Sequence, residues 1–195
     1  MPYTFRPAVE SDVQAIADIY NASVMAGGAT ADLTPRTFDQ RRAWVESHTP
    51  PYGVFVVESE DGSIIGFGAL SVFYDRAGYD GVTDLAYYID PAWQGRGVGT
   101  FMLDRLLTEA LARHMRKACG IIFADNAGSI ASCTASASPN SDSCPPLPPT
   151  LPAPCGTCPT GIWTCSLAVS HFSQEKCEDA GANELDGGVE YNLDG

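Results

Sequence analysis

Apolar residues along the first 130 positions follow two different spacings. They recur at helical intervals in Val13–Tyr20 and Leu103–Ala110. They form β-rich runs in Val54–Glu58, Ile64–Val72 and Val82–Ile89. Since helical and strand spacings succeed each other along one stretch of chain, the pattern predicts an α/β protein.

Turn and cap residues predict where these elements begin and end. Ser11 to Gln14 and Thr37 to Gln40 have the spacing of capping boxes, which start helices. Asp61-Gly62 predicts a tight hairpin between two of the strands. The remaining predicted elements are a strand at Thr4–Arg6, a helix from Gly97 to about Arg113, a strand at Ala118–Ala124, and a helix from Ser129 capped at Asp125–Asn126.

The composition of the chain changes at Ser132. Residues 1–132 carry 16 acidic and 10 basic residues, whereas residues 133–195 carry 8 acidic residues and one basic residue. The second part also holds six of the seven cysteines and a dense group of prolines, which no packed helix or central strand tolerates. We therefore expect a folded domain at 1–132 and a tail at 133–195 that is largely disordered.

The bulk properties exclude some partners. The net charge of −13 argues against nucleic acid and anionic membranes as general partners. No apolar run reaches membrane-spanning length, and the first residues lack the pattern of a secretory signal. A cytoplasmic location is the expectation that follows.

The sharpest motif lies between a predicted strand and a predicted helix. Three glycines there let the backbone approach a ligand, and the helix N-terminus supplies unpaired N–H groups and a positive dipole end. This arrangement is typical of a pyrophosphate cradle, although the glycines could serve a turn alone. The residues of the motif are Gln94, Gly95, Arg96, Gly97, Val98, Gly99 and Thr100.

The spacing of this motif, Gln/Arg-x-x-Gly-x-Gly, resembles that of the GNAT superfamily of acetyl-CoA-dependent N-acetyltransferases, and within it the phosphinothricin N-acetyltransferase group. Matching segments fall in family order from about Tyr3 to Ser132. They include Phe5–Ala8, Asp18–Asn21, Pro35–Thr37, Arg41–Trp44, Gly78-Tyr79, Tyr88–Pro91 and Asp125–Ile130.

The resemblance implies the GNAT fold, a mixed sheet that splays between its fourth and fifth strands, here incomplete at the C-terminus. Acetyl-CoA would lie in the splay, with pantetheine along the backbone of Tyr88 and Ile89 and pyrophosphate on Gln94–Thr100. Asn126 would contact the cofactor from the other side, or serve only as a helix cap. A homodimer is also implied.

Asp84 occupies the position of a glutamate thought to act as general base in the phosphinothricin group. A carboxylate suits this task, because the amine arrives protonated and must lose a proton before it attacks. The alternative is a solvated carboxylate at a strand edge. The function implied is acetylation of a small amino-acid-like amine by direct attack in a ternary complex; the alternative is an inactive fragment that at most binds CoA.

Other candidate residues carry weaker signals. His48 and His114 end predicted helices, where most histidines are solvated, and Trp44 has core spacing. Cys155 and Cys158 have the spacing of half a zinc site, but the other cysteine intervals match no familiar zinc site. A tail that binds zinc is the weaker alternative, and no metal is expected.

The tail decodes into the missing family segment when the reading frame is shifted. Borrowing the last base of each preceding codon from Cys133 onward permits Leu-His-Arg-Phe-Gly-Phe-Thr-Glu-Leu-Gly, which continues the family pattern. Cys165-Ser166 then permits a stop codon. A frameshift at the Ser132–Cys133 junction therefore explains the change in composition, and a natural Pro/Ser-rich linker would not decode in this way.

The frameshift makes a prediction about the gene. We expect the coding DNA, shifted by one base after Ser132, to spell that segment, and restoration of one nucleotide to end the chain near Cys165. The restored protein should be more soluble and more active, because family strands would cover the edge at Ala118–Ala124. DNA that spells another sequence would exclude the frameshift.

Overall fold

The computed structural model describes residues 3–123, 125–136 and 162–168. Short 3₁₀ turns lie at Glu10–Asp12, Ala77–Tyr79 and Pro91–Trp93. The helices are α1 (Val13–Ala26), α2 (Phe38–Ser47), α3 (Val98–Ala112) and α4 (Ala127–Ser136). The strands are β1 (Thr4–Pro7), β2 (Gly53–Glu58), β3 (Ile64–Val72), β4 (Val82–Ile89), β5 (Lys117–Phe123) and β6 (Ile162–Ala168).

The strands form one mixed sheet in the order in which they occur along the chain. Every neighbouring pair is antiparallel except β4 and β5, which run parallel. The parallel pairing covers only Val82–Asp84 against Lys117–Cys119. Beyond that point the two strands separate, so the predicted splay between the fourth and fifth strands is confirmed.

The sheet has a hydrophobic cluster on each face. Alternate residues of β2 divide between the clusters: Val54 and Val56 pack with α1, whereas Phe55 and Val57 pack with α3. On the α3 side the helix lies close to the sheet, since a Cβ at Gly68 on β3 would lie 2.6 Å from Leu106 Cδ1. Since both faces are covered by helices, the ends of the strands are the places where a ligand could reach the sheet.

The two predicted capping boxes have different outcomes. At Thr37 the box is confirmed, since its Oγ1 accepts the Gln40 N–H at 3.2 Å and Gln40 Oε1 accepts the Thr37 N–H at 2.9 Å. The box at Ser11 is wrong: Asp12 accepts the Val9 N–H at 2.8 Å and pairs with Arg6 at 2.6 Å. This ion pair draws Glu10–Asp12 into a 3₁₀ turn, and α1 begins after it.

The structure also differs from the sequence-based expectation near the tail. Helix α4 continues to Ser136, so the proposed boundary at 132 falls inside a helix. Strand β6 pairs with β5 over its whole length, from Lys117 to Phe123. The expectation that this strand forms an open edge is therefore wrong, because backbone groups from the tail pair with it. The gain in solubility predicted for a restored protein thus loses its stated reason. The predicted disorder of the rest of the tail, and Cys155 and Cys158, lie outside the described residues.

No helix in the described part of the chain is both long and apolar enough to cross a bilayer.

Candidate active site

A crevice opens where β4 and β5 separate. Their register ends at the pair Asp84 and Cys119, yet β4 continues to Ile89 and β5 to Phe123. On its other side β4 remains paired with β3 as far as Ile89. The inner edge of β4 therefore presents backbone N–H and C=O groups that β5 does not pair, which is the kind of edge that an extended ligand can bind.

The loop before α3 forms one end of this crevice. Gly95 and Gly97 adopt left-handed φ values of 71° and 81°, which favour glycine. The first bond of the helix runs from the Phe101 N–H to Gly97 O at 3.0 Å. The three preceding N–H groups, of Val98, Gly99 and Thr100, thus have no acceptor within the helix. Among the residues that the structure describes, no atom lies within 4 Å of a Cβ built at Gly95 or Gly97, so the loop that precedes these donors borders open space.

Polar contacts tie this loop to its surroundings. Gln94 Nε2 donates to Ile89 O at 3.3 Å, which joins the loop to the end of β4. Tyr3 donates its hydroxyl to Arg96 O at 3.4 Å. The Arg96 guanidinium lies 5.0 Å from the centroid of the Trp93 ring and is exposed. The loop therefore combines N–H donors, a helix dipole and a cation, a set that binds anions.

Gly99 lies where three elements meet. A Cβ at this position would lie 3.4 Å from Ser132 Oγ on α4 and 3.5 Å from Tyr87 Cε2 on β4. On the opposite side of the crevice, Asn126 Oδ1 accepts the Ser129 N–H at 3.0 Å. Asn126 thus caps α4, as one of the two sequence interpretations expects; its contact with a cofactor stays a prediction.

Tyr88 and Ile89 project to opposite faces of the sheet. Ile89 belongs to the cluster under α3. The Tyr88 ring stacks on Phe67 at 5.2 Å and meets the edge of Tyr20 at 5.0 Å. Burial raises the pKa of the Tyr88 hydroxyl to about 12, so this group stays protonated at neutral pH. At the crevice, Tyr88 can therefore contribute through its backbone.

Asp84 occupies the last position of β4 that pairs with β5. It is only partly exposed, and its cross-strand neighbour on β3 is Ser71. Within the described ranges, no hydrogen bond to its carboxylate is formed. Burial without a donor raises the pKa of this carboxyl above its usual value. Asp84 is thus a stronger base than a solvated aspartate. It lies at the closed end of the crevice, where the pairing of β4 and β5 stops, and this end is called the root of the crevice below.

His48 belongs to this region, contrary to the expectation that it is solvated. Its Nδ1 lies 2.7 Å from Trp44 O, and its Nε2 lies 2.8 Å from Ser71 Oγ. Burial lowers the pKa of the imidazole. Sequence reasoning missed His48 and Ser71 because only the packing of α2 on β3 brings them together. His114 is exposed.

Sequence reasoning also missed a buried cation beside these residues. Arg41 is only 5% exposed, and its guanidinium lies 3.8 Å from the Tyr20 ring centroid and 4.6 Å from that of Trp44. Trp44 also packs against the cluster that contains Phe67, which confirms its assignment to the core. Residues with described side chains contain no group of three or more potential metal ligands.

Comparison with known proteins identifies the fold and the chemistry of related chains. The model of the Acetyltransferase (GNAT) family matches residues 14–133. A phosphinothricin N-acetyltransferase of Streptomyces coelicolor is 30% identical over 127 residues, which are 64% of this chain and 74% of that protein.

A second relative comes from Salmonella typhimurium. It is an L-methionine sulfoximine/L-methionine sulfone acetyltransferase, 31% identical over 107 residues, or 55% of this chain and 63% of its own length.

Among solved structures, a phosphinothricin acetyltransferase from Sinorhizobium meliloti in complex with acetyl-CoA superimposes with a TM-score of 0.64 at 30% identity. The match covers 69% of this chain and 74% of that protein.

Proposed function

The chain belongs to the acetyltransferase (GNAT) family, and on that premise we propose that it acetylates a small amino-acid-like amine. The acceptors we propose are of the phosphinothricin or methionine sulfoximine type, because these occur in the names of its relatives. The observation that carries the proposal is the early separation of β4 and β5 beside an open anion-binding loop.

Acetyl-CoA, the acetyl donor of the family, fits this crevice. Its pyrophosphate would accept hydrogen bonds from the N–H groups of Val98, Gly99 and Thr100, with Gln94, Gly95, Arg96 and Gly97 around it. Its pantetheine amides would pair with the inner edge of β4 near Tyr88 and Ile89. Asn126 would face it from the start of α4. The open space at Gly95 and Gly97 supports this placement.

The chemistry requires two proton transfers and one attack. The acceptor ammonium gives a proton to the carboxylate of Asp84, and the neutral amine then attacks the thioester carbonyl carbon. A backbone N–H near Tyr88 stabilises the negative charge that develops on the carbonyl oxygen. The carbon–sulfur bond breaks, the thiolate of CoA leaves, and the nitrogen gives its second proton to that thiolate, which yields the amide and free CoA. The raised pKa of Asp84 favours its role as base.

The experiment that tests this function measures thiol release from acetyl-CoA with a panel of amines, including phosphinothricin and methionine sulfoximine. Release that depends on an amino-acid-like amine would support the proposal. Binding of CoA without release for any amine would support the alternative, an inactive fragment. The homodimer implied by the family resemblance stays a prediction.

We predict that Gly99→Glu removes CoA binding. Its carboxylate would lie close to the bound phosphates, and like charges about 4 Å apart near a protein surface repel by about 4 kcal/mol, roughly a thousandfold in affinity. Calorimetry with CoA measures the effect. Gly99→Ala is the matched control, since its Cβ would make only ordinary contacts at 3.4 and 3.5 Å. Unchanged affinity in folded Gly99→Glu would show that the cradle is misplaced.

We predict that Asp84→Asn lowers turnover by roughly 10²–10⁴-fold, the usual contribution of a general base, and keeps CoA affinity. The loss should shrink as pH rises, because more of the amine is already neutral. As pH decreases, the unmodified protein should lose activity when Asp84 becomes protonated. Because the pKa of Asp84 is raised, this loss should occur at a higher pH than a solvated aspartate would give.

Steady-state rates against pH measure both effects. The exposed Asp104→Asn serves as the control and should behave like the unmodified protein. Equal turnover in Asp84→Asn and Asp104→Asn at neutral pH would remove Asp84 from the mechanism.

A further inference from the structure

Ser71 and Asp84 lie side by side at the root of the crevice. They are directly opposed in the antiparallel register of β3 and β4. Residues that oppose each other in this way project to the same face of a sheet, with Cβ atoms about 5 Å apart. The two oxygen-bearing side chains are therefore close enough to contact one small ligand together.

His48 determines the direction of the Ser71 hydroxyl. A carbonyl oxygen can only accept, so His48 Nδ1, 2.7 Å from Trp44 O, must carry the proton. In the neutral ring Nε2 is then an acceptor, and the Ser71 hydroxyl, 2.8 Å away, must donate to it. With its single proton used in this way, Ser71 Oγ can only accept from any further partner.

Two acceptors thus face one space: the carboxylate of Asp84 and the lone pairs of Ser71 Oγ. No hydrogen-bond donor from the described part of the chain reaches the Asp84 carboxylate. A group with several N–H donors and a positive charge satisfies such a pair best. A primary ammonium has these properties, whereas an anion or an apolar group does not.

We propose that Ser71 Oγ and the Asp84 carboxylate together bind the ammonium group of the acceptor, and that neutral His48 holds Ser71 in the accepting orientation. This inference rests on the proposed function and adds a binding residue, Ser71, and a positioning residue, His48. Ser71 holds one N–H while Asp84 takes the proton of another. The nitrogen lone pair that results is free to attack the thioester.

Protonation of His48 reverses this arrangement. The imidazolium donates from Nε2 to Ser71 Oγ, which frees the Ser71 proton to bond to the Asp84 carboxylate. The base then has a competing donor, and the ammonium site is lost. The proton that causes the change comes from solvent, and no other bond forms or breaks.

Burial and one nearby positive charge favour the neutral form of His48. Burial lowers the pKa of the imidazole, and the positive charge of Arg41 on α2 lowers it further. Tyr52 and Arg113 line a pocket of about 210 Å³ next to it. Asp84, behind Ser71 on β4, is the one acidic group among these neighbours. We expect its negative charge to oppose the effect of Arg41 on the pKa of the imidazole, so that His48 and Asp84 are electrostatically coupled.

The first test compares Ser71→Ala with Ser71→Thr. The alanine variant should raise KM for the amine by roughly 10–100-fold, the usual range for a hydrogen bond to a charged group, with KM for acetyl-CoA unchanged. The threonine variant keeps the hydroxyl and should restore most of the loss. Equal kinetics in the two variants, or an equal effect on both KM values, would overturn the role of Ser71.

The second test uses the acid side of the pH profile. In the unmodified protein, log kcat/KM for the amine should fall with a slope of two at low pH, because both His48 and Asp84 must be deprotonated. His48→Gln keeps an acceptor near the Nε2 position without titrating, so the slope should become one. His114→Gln is the matched control and should keep a slope of two. An unchanged slope in His48→Gln would overturn the positioning role.

A third measurement needs no activity. The pKa of His48, followed by NMR, should fall further in Asp84→Asn, because the negative charge behind Ser71 is lost. An unchanged pKa would overturn the coupling even in an inactive protein. Failure of the proposed function can be distinguished from failure of this inference. It would appear as an absence of thiol release by the unmodified protein with every amine.

Discussion

The short parallel pairing between β4 and β5 is the constraint on which the candidate site depends. At its start the two strands are held together, because the N–H groups of Arg116 and Lys117 both donate to Gly81 O, at 2.8 and 3.3 Å. At the far end, Gly99 at the start of α3 lies between Tyr87 on β4 and Ser132 on α4. The strands are thus joined at one end and kept apart at the other, and the crevice follows.

The same short pairing also determines where the candidate base lies. Asp84 is the last residue of the paired segment, so it sits where the crevice narrows. Burial there raises the pKa of its carboxyl and lowers that of the His48 imidazole. In both cases the low-dielectric surroundings disfavour the charged form. A base of raised pKa beside a neutral imidazole suits the removal of a proton from an ammonium near neutral pH.

The sequence predicts those parts of the fold that local signals determine. Thr37 and Gln40 form the expected box, Asp61-Gly62 joins β2 to β3, and the glycine-rich loop lies before α3 as the motif predicts. The capping box predicted at Ser11 does not form, because Arg6, which lies further away along the chain, binds Asp12 and changes the local backbone. The pairing of His48 with Ser71 could not be predicted, since it depends on how α2 packs across the sheet.

Strand β6 is a second feature that local sequence signals do not predict. It lies in a segment whose composition predicts disorder, and it pairs with β5 through backbone groups, which composition does not encode. The residue pattern alone predicts the anion-binding loop Gln94–Thr100, whereas the roles of Asp84, Tyr88, Ile89 and Asn126 are implied by the family resemblance. The register of β4 then places Asp84 at the end of the paired segment, next to the unpaired inner edge of that strand.

The most direct test of the central claim, that acetyl-CoA binds in the crevice between β4 and β5, is amide hydrogen exchange with and without CoA. Exchange should slow in Leu85–Ile89 and in Val98–Thr100. It should stay unchanged in β1, at the far edge of the sheet, and in α2. Protection of both segments upon addition of CoA would support the account. Binding of CoA without protection of either segment, or no binding at all, would contradict it.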